Sequence, residues 1–143
     1  MPLQRKPKEY IIQKPNWKSN FILYVLPNRK SLRSFLHEKF KELGCDDPHE
    51  TFSDTCGLFH PQSTLGETYG YMFLNKQDLC LGVVSHESLH AAMAHERFVF
   101  RFNMNYGDGL IDLEDEERLC YEQQYVLEAV WEILVKEKYI KSL

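Results

Sequence analysis

His86-Glu87-Ser88-Leu89-His90 places two imidazoles and a carboxylate at a spacing that could do chemistry. Residues four apart on a helix differ by about 40° in azimuth and about 6 Å in rise, so side chains at 86 and 90 converge on one point. A Zn2+ ion at that point takes one nitrogen from each ring at roughly 2.0–2.1 Å. Glu87 follows the first ligand, so its carboxylate reaches a zinc-bound water instead of the zinc. Zinc lowers that water's pKa towards 7, and the carboxylate accepts its proton as the water attacks a carbonyl. With six His and fourteen Glu in the chain, HExxH arises by chance with a frequency of about 0.02. The plain alternative is two solvated histidines on an ordinary helix. The flanks argue otherwise: Gly82-Val83-Val84 before and Ala91-Ala92-Met93-Ala94 after are small and apolar, which predicts a buried helix. Polar groups there need partners, and a metal supplies them.

Catalysis needs a third protein ligand and an open fourth position. The HExxHxxGxxH arrangement fails, because Met93 stands where it has Gly and Glu96 where it has His. His95 lies five residues past His90, roughly 140° away in azimuth, and cannot join the site from the same helix; it reads as a surface or supporting residue. A carboxylate from a later helix is the remaining solution, and Glu114-Asp-Glu-Glu-Arg-Leu-Cys-Tyr121 offers several.

Val84-Ser-His-Glu-Ser-Leu-His-Ala91 followed by Glu116-Glu117-Arg-Leu-Cys-Tyr121 resembles the gluzincin-like minimal metallopeptidases. These include the ImmA/IrrE type and phage and prophage proteins of the pattern VxHExxHA … EExxAY. Cys120 replaces the usual Ala and leaves the register intact. The likeness covers about residues 66–135. It implies zinc held by His86, His90 and Glu117, with Glu87 as catalytic base; Glu114 and Glu116 are the rival third ligands. It also implies a minimal zincin-like domain. A Tyr or His donor stabilises the oxyanion in such sites, and Tyr121, Tyr106, Tyr71 and His60 are the candidates, Tyr121 being the one inside the motif.

The elements that must position these residues are legible in outline. Phe21–Leu26 is an apolar run ended by Pro27, a buried strand. Leu32, Phe35, Leu36, Phe40 and Leu43 share a helical face, with Ser31 as cap and Gly44 as terminator. Residues 45–65 form a long loop with a short strand near Gly57 to His60. Gly66–Leu74 reads as a strand, taken here as the edge along which an extended peptide pairs. Asp78 is placed to cap a helix from Leu79 to about Glu96; a rival parse makes Leu79–Val84 a strand and starts the helix at Ser85. Phe98, Phe100 and Phe102 alternate ahead of a turn at Tyr106-Gly-Asp-Gly109. Asp112 or Asp115 caps a last helix reaching about Lys138. The fold class is α+β, a small antiparallel or mixed sheet packed on the HExxH helix and a C-terminal glutamate-bearing helix.

Composition sets the bounds. Hydrophobic residues are 43% and charged residues 27% of the chain, a balance that fits one globular domain. Apolar runs stop at six residues where a membrane span needs roughly 20, and MPLQRKPKEY has no apolar segment of a secretory signal. The expected place is the cytoplasm, with Cys45, Cys56, Cys80 and Cys120 reduced. Net charge is −4, yet residues 1–41 hold ten Lys/Arg against two acids while residues 42–143 hold seven against nineteen. Residues 1–20 therefore read as a basic N-terminal arm or loosely attached strand, and residues 21–143 as the zincin-like domain.

Three functions compete. The first is an intracellular zinc-dependent endopeptidase acting on a peptide or protein. The second is a non-catalytic zinc-bearing binding or regulatory module of a phage or mobile element. The third sends the basic arm to nucleic acid, as in SprT-like proteases of related site design; only Tyr10 and Trp17 interleave its charges, which supports it weakly. Oligomeric state is not encoded legibly.

Overall fold

The computed structural model describes residues 6–15, 17–44, 56–62, 67–100 and 113–140, with residues 97–100 and 113–115 described by backbone alone. The fold is α+β, with four strands in a mixed sheet and three α-helices among the described residues. The strands are β1 (Tyr10–Ile12), β2 (Asn20–Leu26), β3 (Gly57–Pro61) and β4 (Thr68–Asn75). The helices are α1 (Arg29–Leu43), α2 (Leu81–Phe100) and α3 (Leu113–Lys136).

Sheet order is β1-β2-β4-β3, with β2 and β4 parallel and both outer pairs antiparallel. This corrects the expectation for residues 66–74: β4 is an interior strand, and the edge beside it is β3. The composition of β4 explains the placement, since Tyr69, Met72, Phe73 and Leu74 are all buried and need cover on both faces. Beside β2, the register shifts between Asn20↔Thr68 and Phe21↔Gly70, leaving Tyr69 as the extra residue of a bulge. The bulge puts Tyr69 into the same core as Met72 and Leu74.

Alternation splits the sheet into two faces. Phe21, Leu23, Val25, Phe59, Met72 and Leu74 pack with Val84 and Ala91 of α2 and Val126, Val130 and Leu134 of α3. On the other face Tyr24, Leu26 and Phe73 pack with Leu32, Leu36 and Phe40 of α1. The glycines of the β3–β4 pair allow close approach: a Cβ on Gly70 would collide with the Phe59 ring and lie 2.9 Å from the His60 carbonyl. One on Gly57 would meet Leu74 and Val83 at 3.2 Å.

Helix ends differ in detail from expectation. α1 is capped by Asn28, whose side chain accepts the Ser31 N–H, so Ser31 is the capped residue and not the cap. Gly44 closes the helix at φ 70°, as expected. Asp78 caps nothing: it ends a short 3-10 turn begun by Lys76, and its carboxylate takes two hydrogen bonds from Arg29 at 2.7 and 2.9 Å. α2 starts later, at Leu81, with the Cys80 carbonyl accepting the Val84 N–H. It runs past Glu96 to Phe100, so neither the strand over 79–84 nor a start at Ser85 occurs. Asp112 and the 106–109 turn lie outside the described residues, while Asp115 falls inside α3, whose helix ends at Lys136.

The basic N-terminal segment is built into the fold over its described part. Tyr10–Ile12 is the strand β1, and the Tyr10 and Tyr139 hydroxyls lie 2.9 Å apart. Lys8 pairs with Glu137 at 3.1 Å, and Lys14 stands over the rings of Trp17 and Tyr125.

Candidate metal centre

α2 sorts its residues by azimuth into three directions. Val84, Glu87, Ala91 and Ala94 face the sheet and are buried. Ser85, His95 and Glu96 meet α3: Gln123 donates to the Ser85 carbonyl at 3.3 Å, His95 Nδ1 lies 3.2 Å from Glu122 Oε1, and Arg118 Nε reaches Glu96 Oε1 at 2.9 Å. The third direction is solvent, and there stand His86, Leu89 and His90.

The two rings of the motif converge. His86 Nε2 and His90 Nε2 are 3.2 Å apart, with ring planes at 71°. Two nitrogens bound tetrahedrally at the zinc–imidazole distance sit about 3.3 Å apart, so this pair already has the spacing of two ligands to one ion. Glu87 is only 5% exposed, and its Oε1 lies 3.9 Å from His86 Nε2. The Phe59 backbone N–H of β3 donates to this carboxylate. Its Oε2 is buried with no hydrogen-bond partner among the described residues. Burial pushes the Glu87 pKa up, against the pull of His86 and the Phe59 amide. The donor set and the orphaned oxygen fit a divalent cation with an adjacent base.

Glu117 does not join the pair. Among the described residues, no group of three His, Cys, Asp or Glu is placed to hold a metal. The azimuths give the reason: residues 85, 95 and 96, which touch α3, point roughly 80–180° away from His86 and His90 at 100° per residue. Glu116 and Glu117 are exposed on α3, and Glu114 lies outside the described side chains.

The oxyanion candidates scatter. Tyr121 is 66% exposed on α3. Tyr71 and His60 lie on the α1 side of the sheet, Tyr71 under Lys39 Nζ at 5.1 Å and His60 edge-on to Phe40 at 4.7 Å. Strand alternation sends them there, because Phe59 and Met72 face α2. Tyr106 is outside the described residues.

His95 is not a surface residue. It is 2% exposed, stacked on Trp17 at 3.6 Å and edge-on to Tyr69 at 5.1 Å. Its 140° offset from His90 turns it inward, to Glu122. Glu96 beside it is also buried; desolvation raises its pKa against the Arg118 guanidinium, and the Glu122 carboxyl adds to the rise. Sequence reasoning missed the part played by the Phe59 amide. The available signal was the short strand at 57–60, flanked by Gly57 and Pro61 as edge strands often are. No family model matches the chain, and neither a curated protein nor a solved structure does.

Proposed function

We propose that this chain is a cytoplasmic zinc-dependent endopeptidase. The observation that carries the reading is the convergence of His86 Nε2 and His90 Nε2 to 3.2 Å beside a buried carboxylate with an unpartnered oxygen. His86 and His90 would hold the ion; the family resemblance implies Glu117 as third ligand, although α3 does not bring it beside the pair among the described residues. Bound zinc supplies Lewis acidity, polarising a carbonyl and making water a nucleophile near neutral pH. Glu87 accepts the proton of the attacking water, a task that suits a carboxylate whose pKa burial has raised. The outer edge of β3, which pairs with no other strand among the described residues, would offer an extended peptide its backbone groups within reach of Glu87. No disulfide joins the described cysteines, Cys56, Cys80 and Cys120, which suits a reducing compartment. No described helix is long and apolar enough to cross a membrane.

The pair's exposure, with no third ligand beside it among the described residues, favours one rival: a zinc-bearing module without catalysis. Nucleic-acid binding through the N-terminal segment gains less, since Lys8 and Lys14 are engaged within the molecule.

The test is zinc per chain, purified without added metal, for the native protein and for His90→Ala, Glu117→Ala and Glu87→Gln, together with cleavage of unfolded casein. One equivalent in the native protein and in Glu87→Gln, lost in the other two, is the expected pattern, with cleavage only in the native protein. Zinc kept in Glu117→Ala would move the third ligand elsewhere, and cleavage unchanged in Glu87→Gln would remove the peptidase reading.

A further inference from the structure

The hydrogen bonding of β3 has a fixed parity. β3 and β4 pair antiparallel with Phe59 opposite Met72, and the Gln62 N–H donates to the Tyr69 carbonyl at 2.8 Å in the same register. Residues 62 and 69 are therefore a hydrogen-bonded pair. Because such pairs alternate, His60↔Tyr71 and Leu58↔Phe73 are bonded as well, while Gly57, Phe59 and Pro61 turn their backbone groups away from β4. Among the described residues no other strand pairs with that side of β3. Such an edge is the kind of template to which an extended chain adds.

The donors on that edge are few. Pro61 has no N–H. The Phe59 N–H is given to Glu87, which reaches it from α2. Among the described residues of the strand, that leaves Gly57 with an outward N–H, whereas residues 57, 59 and 61 all present outward carbonyls. Phe59 is held firmly in this position: its ring is buried against Phe21 and Tyr69, and Gly70 leaves the space it fills.

We propose that the Phe59 backbone amide is a positioning group for Glu87, and that the carboxylate in turn caps the strand edge open to an extended chain. An incoming chain meets an edge made mostly of carbonyls and is recognised through its own N–H donors. A chain that pairs at Phe59 displaces the Glu87 carboxylate, which is then released towards the histidine pair. This deepens the peptidase reading and rests on it for that last step, but the capping itself needs neither metal nor substrate.

Amide exchange of the full chain, free of metal, followed residue by residue by NMR, is the test. After correction for intrinsic rates, Phe59 is expected to exchange at least about tenfold more slowly than Gly57, although both face the open edge. In Glu87→Ala the Phe59 rate rises to that of Gly57 while Leu58 and His60, bonded to β4, keep their protection. Glu87→Gln retains an acceptor oxygen and keeps Phe59 protected. Native Phe59 exchanging as fast as Gly57, or staying protected in Glu87→Ala, would overturn the proposal. If Glu87→Ala opens the whole strand, Glu87→Gln decides: Phe59 protected with its neighbours supports capping, and Phe59 alone exposed refutes it. Absence of zinc or cleavage with Phe59 protection intact would sink the peptidase reading and leave the capping standing.

Discussion

At the scale of single residues, Glu87 and His95 stand just over two turns apart on one helix and show how azimuth parts two buried polar side chains. Both are buried on α2, yet Glu87 ends with an orphaned oxygen beside His86, and His95 lies under Trp17 with its Nδ1 3.2 Å from Glu122 Oε1. A buried carboxylate without a full set of partners costs on the order of 1–3 kcal/mol or more, and such a cost persists where the group has work to do. Its raised pKa has a consequence for pH. In the proposed peptidase Glu87 would act as base only when ionised, so cleavage is expected to fall as pH drops through a pKa above the ordinary carboxylate range. A cleavage profile measured from pH 4 to 8 is expected to show that acid limb, and Glu87→Gln to lower the rate by about 10²–10⁴-fold on the plateau above it, the difference shrinking as pH falls along the limb. An acid limb at the usual carboxylate pKa would show that burial does not govern this group.

At the scale of elements, the junction of α1, β4 and the 3-10 turn is held by Asp78. Its carboxylate takes both Arg29 bonds and one from Asn75 Nδ2, and that same nitrogen donates to the Cys56 carbonyl just before β3. The Arg29 hydrogen bond leads in holding the Asp78 pKa below the usual range. A depressed pKa means stability that is present above the unfolded pKa, about 3.9, and is lost as pH falls through the folded one. Arg29 is half exposed, so solvent screens the pair and its worth is about 0.2–1 kcal/mol. Asp78→Asn is thus expected to lower stability at pH 7 by that amount and to flatten the acid side of a denaturation series; an unchanged acid slope would refute it. Asp78 also illustrates what the sequence conceals. Its type and position suit a helix cap, and only the fold brings Arg29, 49 positions earlier, within reach. The strand at 68–75 was legible as a strand, but its interior place depends on parallel pairing with β2, which no local pattern encodes. Its apolar character on both faces was the usable sign. HExxH was legible because both histidines sit on one helix; Glu117 belongs to another, where helix packing decides who meets whom.

At the scale of the whole molecule, the N-terminal segment behaves as a strap across the α2–α3 pair. Trp17 lies flat on His95, Lys14 stands over Trp17 and Tyr125, and Lys8 and Tyr10 reach Glu137 and Tyr139 at the far end of α3. Beneath the strap, His95, Glu122 and Glu96 share a site that water does not reach, closed at one end by Arg118. Removing one member of such a set leaves a buried polar partner unsatisfied and costs about 1–3 kcal/mol or more, whereas exchanging a carboxylate for an amide costs less. His95→Ala is accordingly expected to be more damaging than Glu122→Gln. Trp17 is partly exposed, so Trp17→Ala should cost about 2–3 kcal/mol, below the range for fully buried aromatics. Thermal unfolding checks all three. A strap requires Trp17→Ala and His95→Ala to be coupled, since each removes half of one stacked pair, and the double variant should lose less than the sum of the two. Additive losses would mean that Trp17 merely lies over the helices. A Trp17→Ala variant as stable as the native protein would return residues 6–19 to the status of a detachable basic arm.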